Sequence, residues 1–244
     1  RVLSPQGWKT MGEIGIGDTI IDPLTGGTQE VTDTFDNVQD IYKLTFEDGT
    51  SAECGPGHLW YVRTTWNGNR PLGWMTITTV DLMDKINRGY KFASPIMKAP
   101  DLSGGNPSNF VIPPYAMGAL LGDGSFRANS IEWTTGDAQL VEEMKANLTH
   151  GVTMRQKDKF HWIIKKSEAD TRHPWIAELR RLGLWGMKSD SKFIPDEYKW
   201  ASVEDRLALF QGYMDADGEA TFKDTGFSTG SAQLSEDMRW LASS

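Results

Sequence analysis

The amino-acid sequence predicts a mixed fold, all-β over residues 1–95 and α+β with an internal pseudo-two-fold repeat after residue 114. Three observations predict it. Strand-forming runs separated by turn residues fill the front, helical spacing of apolar residues begins only after Tyr115, and two later segments align at a constant offset.

In the front, Thr19 to Ile21, Ile41 to Phe46, Ser51 to Cys54 and Leu59 to Val62 are the expected strands. Gly15-Ile16-Gly17-Asp18, Asp22-Pro23, Gly26-Gly27 and Glu47-Asp48-Gly49 supply turn chemistry between them. Pro95 to Pro114 holds five prolines and two glycines, so 96–114 is expected to be a linker. Beyond it, Leu140, Val141, Met144 and Leu148 recur at three to four residues, predicting a helix over 137–148. Val152 to Gln156 and Phe160 to Ile164 read as a hairpin across Lys157-Asp158-Lys159, and 175–182 and 203–214 as further helices.

Shifting the sequence by 94 residues places Gly118, Asp123 and Gly124 on Gly212, Asp217 and Gly218, and Thr135-Gly136 on Thr229-Gly230. Ala138, Gln139, Leu140, Glu142 and Met144 fall on Ala232, Gln233, Leu234, Glu236 and Met238. Ten identities in the 28 residues from Met117 to Met144 far exceed the about one or two that chance supplies, and a duplicated unit predicts two similar halves about a pseudo-two-fold axis. The first copy is assigned to 115–208 and the start of a second to 209–244. By comparison with the first, the second is expected to lack roughly 40 residues.

Gly118 and Gly122 in one copy, and Gly212 and Ala216 in the other, are four apart and share a helix face. Small residues there let two helices touch backbone to backbone, which brings Asp123 and Asp217 together. Each carboxylate then faces the negative end of a helix dipole and the other carboxylate. Stability does not favour that arrangement; a divalent cation resolves it, and acids holding such ions beside a phosphate can drive its hydrolysis. The competing reading takes each Asp-Gly as a turn and the small residues as packing. A calcium-loop reading of Asp215-Ala216-Asp217-Gly218 fails on the spacing of its glycine and glutamate.

The formal net charge is −8, but it is unevenly spread. Residues 1–126 sum to −5, 127–188 to +3 and 189–244 to −6. Phosphate binding needs only local basic surface, which the middle could supply, but on this count alone ordinary charge scatter is the favoured reading. The single Cys54 excludes internal disulfides and clusters of several cysteines, and fits a reducing compartment. No apolar run approaches the roughly 20 residues that span a bilayer, and no secretory signal is visible, so no membrane partner is expected. Opening on Arg1 rather than Met, the chain is expected to be processed or a fragment.

Phe210-Gln211-Gly212-Tyr213-Met214-Asp215-Ala216-Asp217-Gly218 resembles the LAGLIDADG motif, and Met117 to Gly124 its degenerate partner. Proteins with two such motifs are mostly homing endonucleases that cut double-stranded DNA. The resemblance implies that the motif helices form the interface between half-domains and that Asp123 and Asp217 bind Mg²⁺ and are catalytic. Asp215 is acidic where the first copy has Leu121, and stays outside that set. Ser191-Lys192-Phe193-Ile194-Pro195 resembles a Lys-x-Ile-Pro element preceding the second motif in intein endonucleases, where the lysine lies near the active site. It leaves Lys192 two readings, stabilising phosphate charge or steering water, or an exposed lysine before a turn. The family's sheets saddle the DNA major groove, so the resemblance marks Arg127 to Thr135 and the 152–166 hairpin. Alternation would then set Arg155, Lys157 and Lys159 on one face, with Arg127 and Lys165 as further DNA contacts.

Val2 to Asp18 resembles the first block of the Hint fold of inteins, and Gly55-Pro56-Gly57-His58 its Thr-x-x-His block, which implies a splicing role for His58. There are departures: Arg1 stands past the usual Cys or Ser nucleophile, Gly55 replaces threonine, and no His-Asn pair closes the chain. Cys54 is expected to be a small buried residue. As given, the chain is not expected to splice, and alone it is expected to cut DNA poorly or not at all. The resemblance implies double-stranded DNA, host-protein exteins and a complementary C-terminal intein segment as partners, in the cytoplasm of a prokaryotic or phage-infected cell. Two alternatives stay open: a splicing element with an inactive endonuclease, and a nucleic-acid-binding relative that does not cleave.

Overall fold

The computed structural model describes residues 1–64, 73–95, 98–100, 102, 109–127, 130–169, 172–222 and 224–244, with only the backbone of Arg127. Residues 1–95 form small antiparallel sheets rather than a barrel. Hairpins pair β1 (Val2–Ser4) with β2 (Gly7–Lys9), β3 (Thr19–Ile21) with β4 (Thr28–Glu30), and β5 (Tyr42–Thr45) with β6 (Ser51–Cys54). A three-stranded sheet places β7 (Leu59–Thr64) between β8 (Met75–Thr78) and β9 (Phe92–Ala93).

The front is not all-β, which corrects the expectation for residues 1–95. Helix α1 (Thr79–Asn87) follows β8 directly, started by Thr78, whose hydroxyl accepts the Asp81 amide, and anchored by buried Thr79 and Leu82. Its apolar face is short, which hid it among the strand runs. The stretch read as a linker lies partly outside the described residues. Its described part is packed down: Leu102 is buried, Phe110 stacks on Tyr198 at 4.3 Å between ring centroids, and Ile112 is fully buried.

The second half holds the main core. Helix α2 (Pro114–Asp123) starts with proline at its first position and is buried along Tyr115 to Leu121. It leads into β10 (Gly124–Arg127), β11 (Ser130–Thr134) and α3 (Ala138–Ala146), capped by Asp137. Next come the hairpin β12 (Val152–Gln156) and β13 (His161–Lys166), then α4 (Pro174–Arg181) and the short α5 (Asp196–Lys199). The four strands form one antiparallel sheet in the order β10-β11-β13-β12. Phe126, Ile131, Trp133, Val152 and Ile164 face the core, and intervening residues such as Thr153, Arg155 and Lys165 face out.

Helix α6 (Val203–Asp217) opens the second copy, followed by β14 (Gly218–Ala220), β15 (Thr225–Phe227) and α7 (Ala232–Ser243). The repeat is structural as well as sequential. At the 94-residue offset the ends of α2 and α6, the starts of β10 and β14, and the starts of α3 and α7 coincide. A smaller cluster of Leu3, Ile21 and Leu102, with Trp200 and Trp240 against it, joins the front to the second half.

Helices α2 and α6 meet as the glycines predict. A methyl group built on Gly118 would strike the Leu209 carbonyl and Tyr213 amide; one on Gly212 would strike the Tyr115 carbonyl and crowd the Ala119 amide. The offset maps Tyr115 onto Leu209 and Ala119 onto Tyr213, so the two contacts are pseudo-symmetric copies of one another. Gly→Ala inside a helix ordinarily gains about 1 kcal/mol of propensity. Here the obstacle is backbone, which cannot swing away, and overpacking of about 1–3 kcal/mol or more outweighs that gain. Gly118→Ala and Gly212→Ala should each lower the urea midpoint, while Gly12→Ala, with nothing near it, should not. Unchanged midpoints for both helix variants would contradict the backbone contact.

Candidate active site

Both motif helices stop at Asp-Gly for the same reason. Gly124 and Gly218 leave the helix with extended backbone, at φ −85° and −84°, and their amides donate to the Leu120 and Met214 carbonyls. A side chain at either position would collide with that same carbonyl. Each aspartate is therefore the last helical residue, and each strand begins at once behind it. Gly122 continues the close approach: a methyl there would run into Ala216 and come within 3.4 Å of Asp217 Oδ2. The two helix ends thus converge where the acids sit, as expected.

Both carboxylates are half-buried, and their electrostatics follow from that position. Burial first, and then the charge of Asp217, push the Asp123 carboxyl up to about 6, against a downward pull from Lys192. Asp217 is also raised by burial and eased by Lys192. Such an arrangement holds negative charge at a cost that a cation would relieve. Among the described residues no group of three or more His, Cys, Asp or Glu converges as a metal cage. Two carboxylates suit Mg²⁺, which keeps several waters and binds through one or two acids plus substrate phosphates. The donor set therefore fits that ion at Asp123 and Asp217.

Lys192 occupies a post that neither sequence reading foresaw. It is 3% exposed, so it is no surface lysine. Its ammonium donates to the carbonyls of Leu120 (3.0 Å), Leu121 (2.8 Å), Gly122 (3.2 Å) and Gly124 (2.7 Å). It also lies 5.1 Å from the Phe126 ring centroid. Four carbonyls at the end of α2 thus converge on one buried cation, which offsets the negative helix end beneath Asp123. The amine is engaged with carbonyls close behind Asp123, and its burial rules out the reading as an exposed lysine before a turn.

The remaining marked residues divide. Arg155 pairs across from Ile163, and Lys165 across from Thr153, and both side chains stand exposed on the outer face of the sheet. Lys157 lies just past β12 and reaches back to Glu132 at 2.9 Å, so its charge is already matched. Lys159 belongs to the tight turn and lies 4.9 Å from the centroid of the Phe160 ring. The expectation of one face shared by Arg155, Lys157 and Lys159 fails at Lys159, because the strand ends at Gln156 and Asp158 folds the turn by accepting from Phe160 and His161. The backbone of Arg127 closes β10 opposite Ser130; its side chain lies outside the described residues.

His58 lies in the front half, just before β7. Its ring packs edge-on against Trp60 at 4.9 Å, and its carbonyl accepts from the Thr79 amide and hydroxyl. Buried Cys54 lies 3.4 Å from that same hydroxyl. A cleft of about 1250 Å³ opens here, lined by Arg1, Gln39, Cys54, His58 and Trp60 among others. Sequence reasoning missed Tyr115, whose hydroxyl donates to Asp215 at 2.8 Å and gives that acid a structural partner. It also missed buried Ser231 and Asp237, the latter opposite Glu143 at the 94-residue offset.

No family model matches the chain. It is 26% identical to a replicative DNA helicase DnaB of Mycobacterium intracellulare over 238 aligned positions, which take in 89% of this chain and 36% of the helicase. The chain thus spans little more than a third of that relative. No helix among the described residues is long and apolar enough to cross a membrane.

The raised Asp123 carboxyl has a consequence for stability. Between the ordinary value of 3.8 and about 6 the folded chain keeps a proton that the unfolded chain has released. Stability therefore falls as pH rises through that window, and the penalty is complete above it. Without divalent cations, Asp123→Asn should stabilise the fold at about pH 7.5, by on the order of 1 kcal/mol once partial exposure is allowed for, and not at about pH 4. Thermal melts at the two pH values check this; no gain at the higher pH would contradict it.

Proposed function

We propose that the second half is a Mg²⁺-dependent, site-specific double-stranded DNA endonuclease of the LAGLIDADG type, carried in an intein behind a Hint-like splicing unit. The observation that carries this reading is the pair of half-buried aspartates at the ends of two pseudo-symmetric helices packed glycine to backbone. Packing alone has no use for two repelling carboxylates at that spot. A divalent cation bound between them would supply Lewis-acid charge at a scissile phosphate and acidify an attacking water. The protein's own part is to hold the acids in place, exclude part of the solvent and offer the outer face of the sheet, with Arg155 and Lys165, to the phosphate backbone.

The likeness to about a third of a helicase supports an element carried within a longer chain. The 244 residues contain no Gly-x-x-x-x-Gly-Lys-Ser/Thr stretch for nucleotide phosphates, which disfavours helicase activity in this segment. Host-protein exteins, a complementary C-terminal intein segment and action in the cytoplasm of a prokaryotic or phage-infected cell belong to the same proposal. A second reading, splicing without cleavage, draws on the cleft around His58 and Cys54.

The test is cleavage, by the full gene product, of a duplex carrying the uninterrupted host-gene junction, with and without Mg²⁺. Asp123→Asn and Asp217→Asn should each cost more than about a hundredfold in rate, since losing a direct ligand exceeds the 10–100-fold typical of outer-shell losses. Cleavage by Asp217→Asn at the native rate would overturn the proposal.

A further inference from the structure

Helix α7 of the second repeat grips the segment that carries Lys192 through two buried side chains that the proposed chemistry has not used. Ser231 caps α7 by accepting the Leu234 amide at 3.1 Å, and its hydroxyl donates to the Lys192 carbonyl at 2.6 Å. One turn and a half on, Asp237 accepts the Ile194 amide at 2.9 Å through Oδ2. Its Oδ1 accepts from Lys199 at 3.2 Å and Gln233 at 3.0 Å. Ser231 is 2% exposed and Asp237 4%. From the first of these anchored residues, Lys192 extends its ammonium onto the four carbonyls at and just beyond the end of α2.

The repeat supplies an internal control. The counterparts of Ser231 and Asp237 are Asp137 and Glu143, and both are exposed. Asp137 caps its own helix through Gln139, and Glu143 receives a bond from Asn147 in the same helix. Among the described residues neither side chain is hydrogen-bonded to another segment. The duplicated unit does not itself require the clamp; it occurs in the copy that lies against Lys192.

We propose that Ser231 and Asp237 are positioning residues for the acid pair: they fix the Lys192–Ile194 backbone so that Lys192 locks the end of α2, from which Asp123 projects. This rests on the reading of Asp123 and Asp217 as a divalent-cation site. The second half-domain thereby sets the geometry of the first one's ligand. Losing Asp237 strands a buried Ile194 amide and frees the segment that carries Lys192. The effect on the site is then transmitted through Lys192 and vanishes when Lys192 is already gone.

The 244-residue chain serves for the test, with Mn²⁺ as probe. Mn²⁺ affinity is measured by calorimetry, and hydrogen exchange is followed in the peptide covering 118–127, for Asp237→Ala, Ser231→Ala, Lys192→Met and the double variant Lys192→Met/Asp237→Ala. The single variants should weaken Mn²⁺ binding roughly 10–100-fold and speed exchange at 120–124. The double variant should be no worse than Lys192→Met. Glu143→Ala should leave both readouts as native. Asp237→Asn, which keeps the volume and one acceptor, should recover part of the loss. It also carries the test, with Ser231→Ala, if Asp237→Ala does not fold. Variants that lower the melting temperature yet bind Mn²⁺ as the native chain does would overturn the proposal, as would losses that add to that of Lys192→Met. If the native chain binds no Mn²⁺, the cation-site reading fails on its own, while the exchange data still decide whether the clamp holds α2.

Discussion

Two helices touching backbone to backbone at Gly118 and Gly212 set nearly everything else in the second half. Because no side chain separates them there, the two backbones are in direct contact, and their ends are brought together. The sharp exits at Gly124 and Gly218 then send each chain directly into a strand behind its aspartate. The carboxylates have no freedom to avoid one another except by rotamer. Their shared environment is therefore a product of helix packing.

That environment is electrostatically unfavourable in three ways at once: burial, like charge and the negative ends of two helices. Lys192 offsets the part belonging to α2 by binding three of its terminal carbonyls and that of Gly124 just behind them. Among the described residues no cation is hydrogen-bonded to the carbonyls at the end of α6. The compensation of the helix ends is thus lopsided, and it arrives from the last part of the first copy, held by the second copy's last helix. Lys192 eases both carboxylates, but it binds the carbonyls of one helix end only among the described residues.

The symmetric part of this was legible in the sequence, because a duplicated pattern and paired small residues state a packing geometry directly. Asp123, Asp217 and the helix faces beneath them needed no coordinates. The 152–166 hairpin was legible too, through alternation, but its turn was not: the strand ends at Gln156, and Asp158 accepts backbone amides where a pattern of basic residues suggested a continuing face. Lys192 shows a different limit. Its sequence neighbours mark it, yet its partners are 68 to 72 residues away, and burial of an ammonium on carbonyls has no local signature. Helix α1 was hidden by the shortness of its apolar face, and the packing of Leu102 and Ile112 by the prolines around them. Ser231 and Asp237 are buried only because the segment beside them folds back, which a single sequence does not display.

The central claim is that helix packing builds one cation site from Asp123 and Asp217. Anomalous scattering from crystals soaked in Mn²⁺ tests it most directly. A peak is expected within ligand distance of both carboxylates in the native chain, and its loss in Asp217→Asn. Saturating Mn²⁺ with no peak between the two aspartates, or a peak there that survives Asp217→Asn, would contradict it.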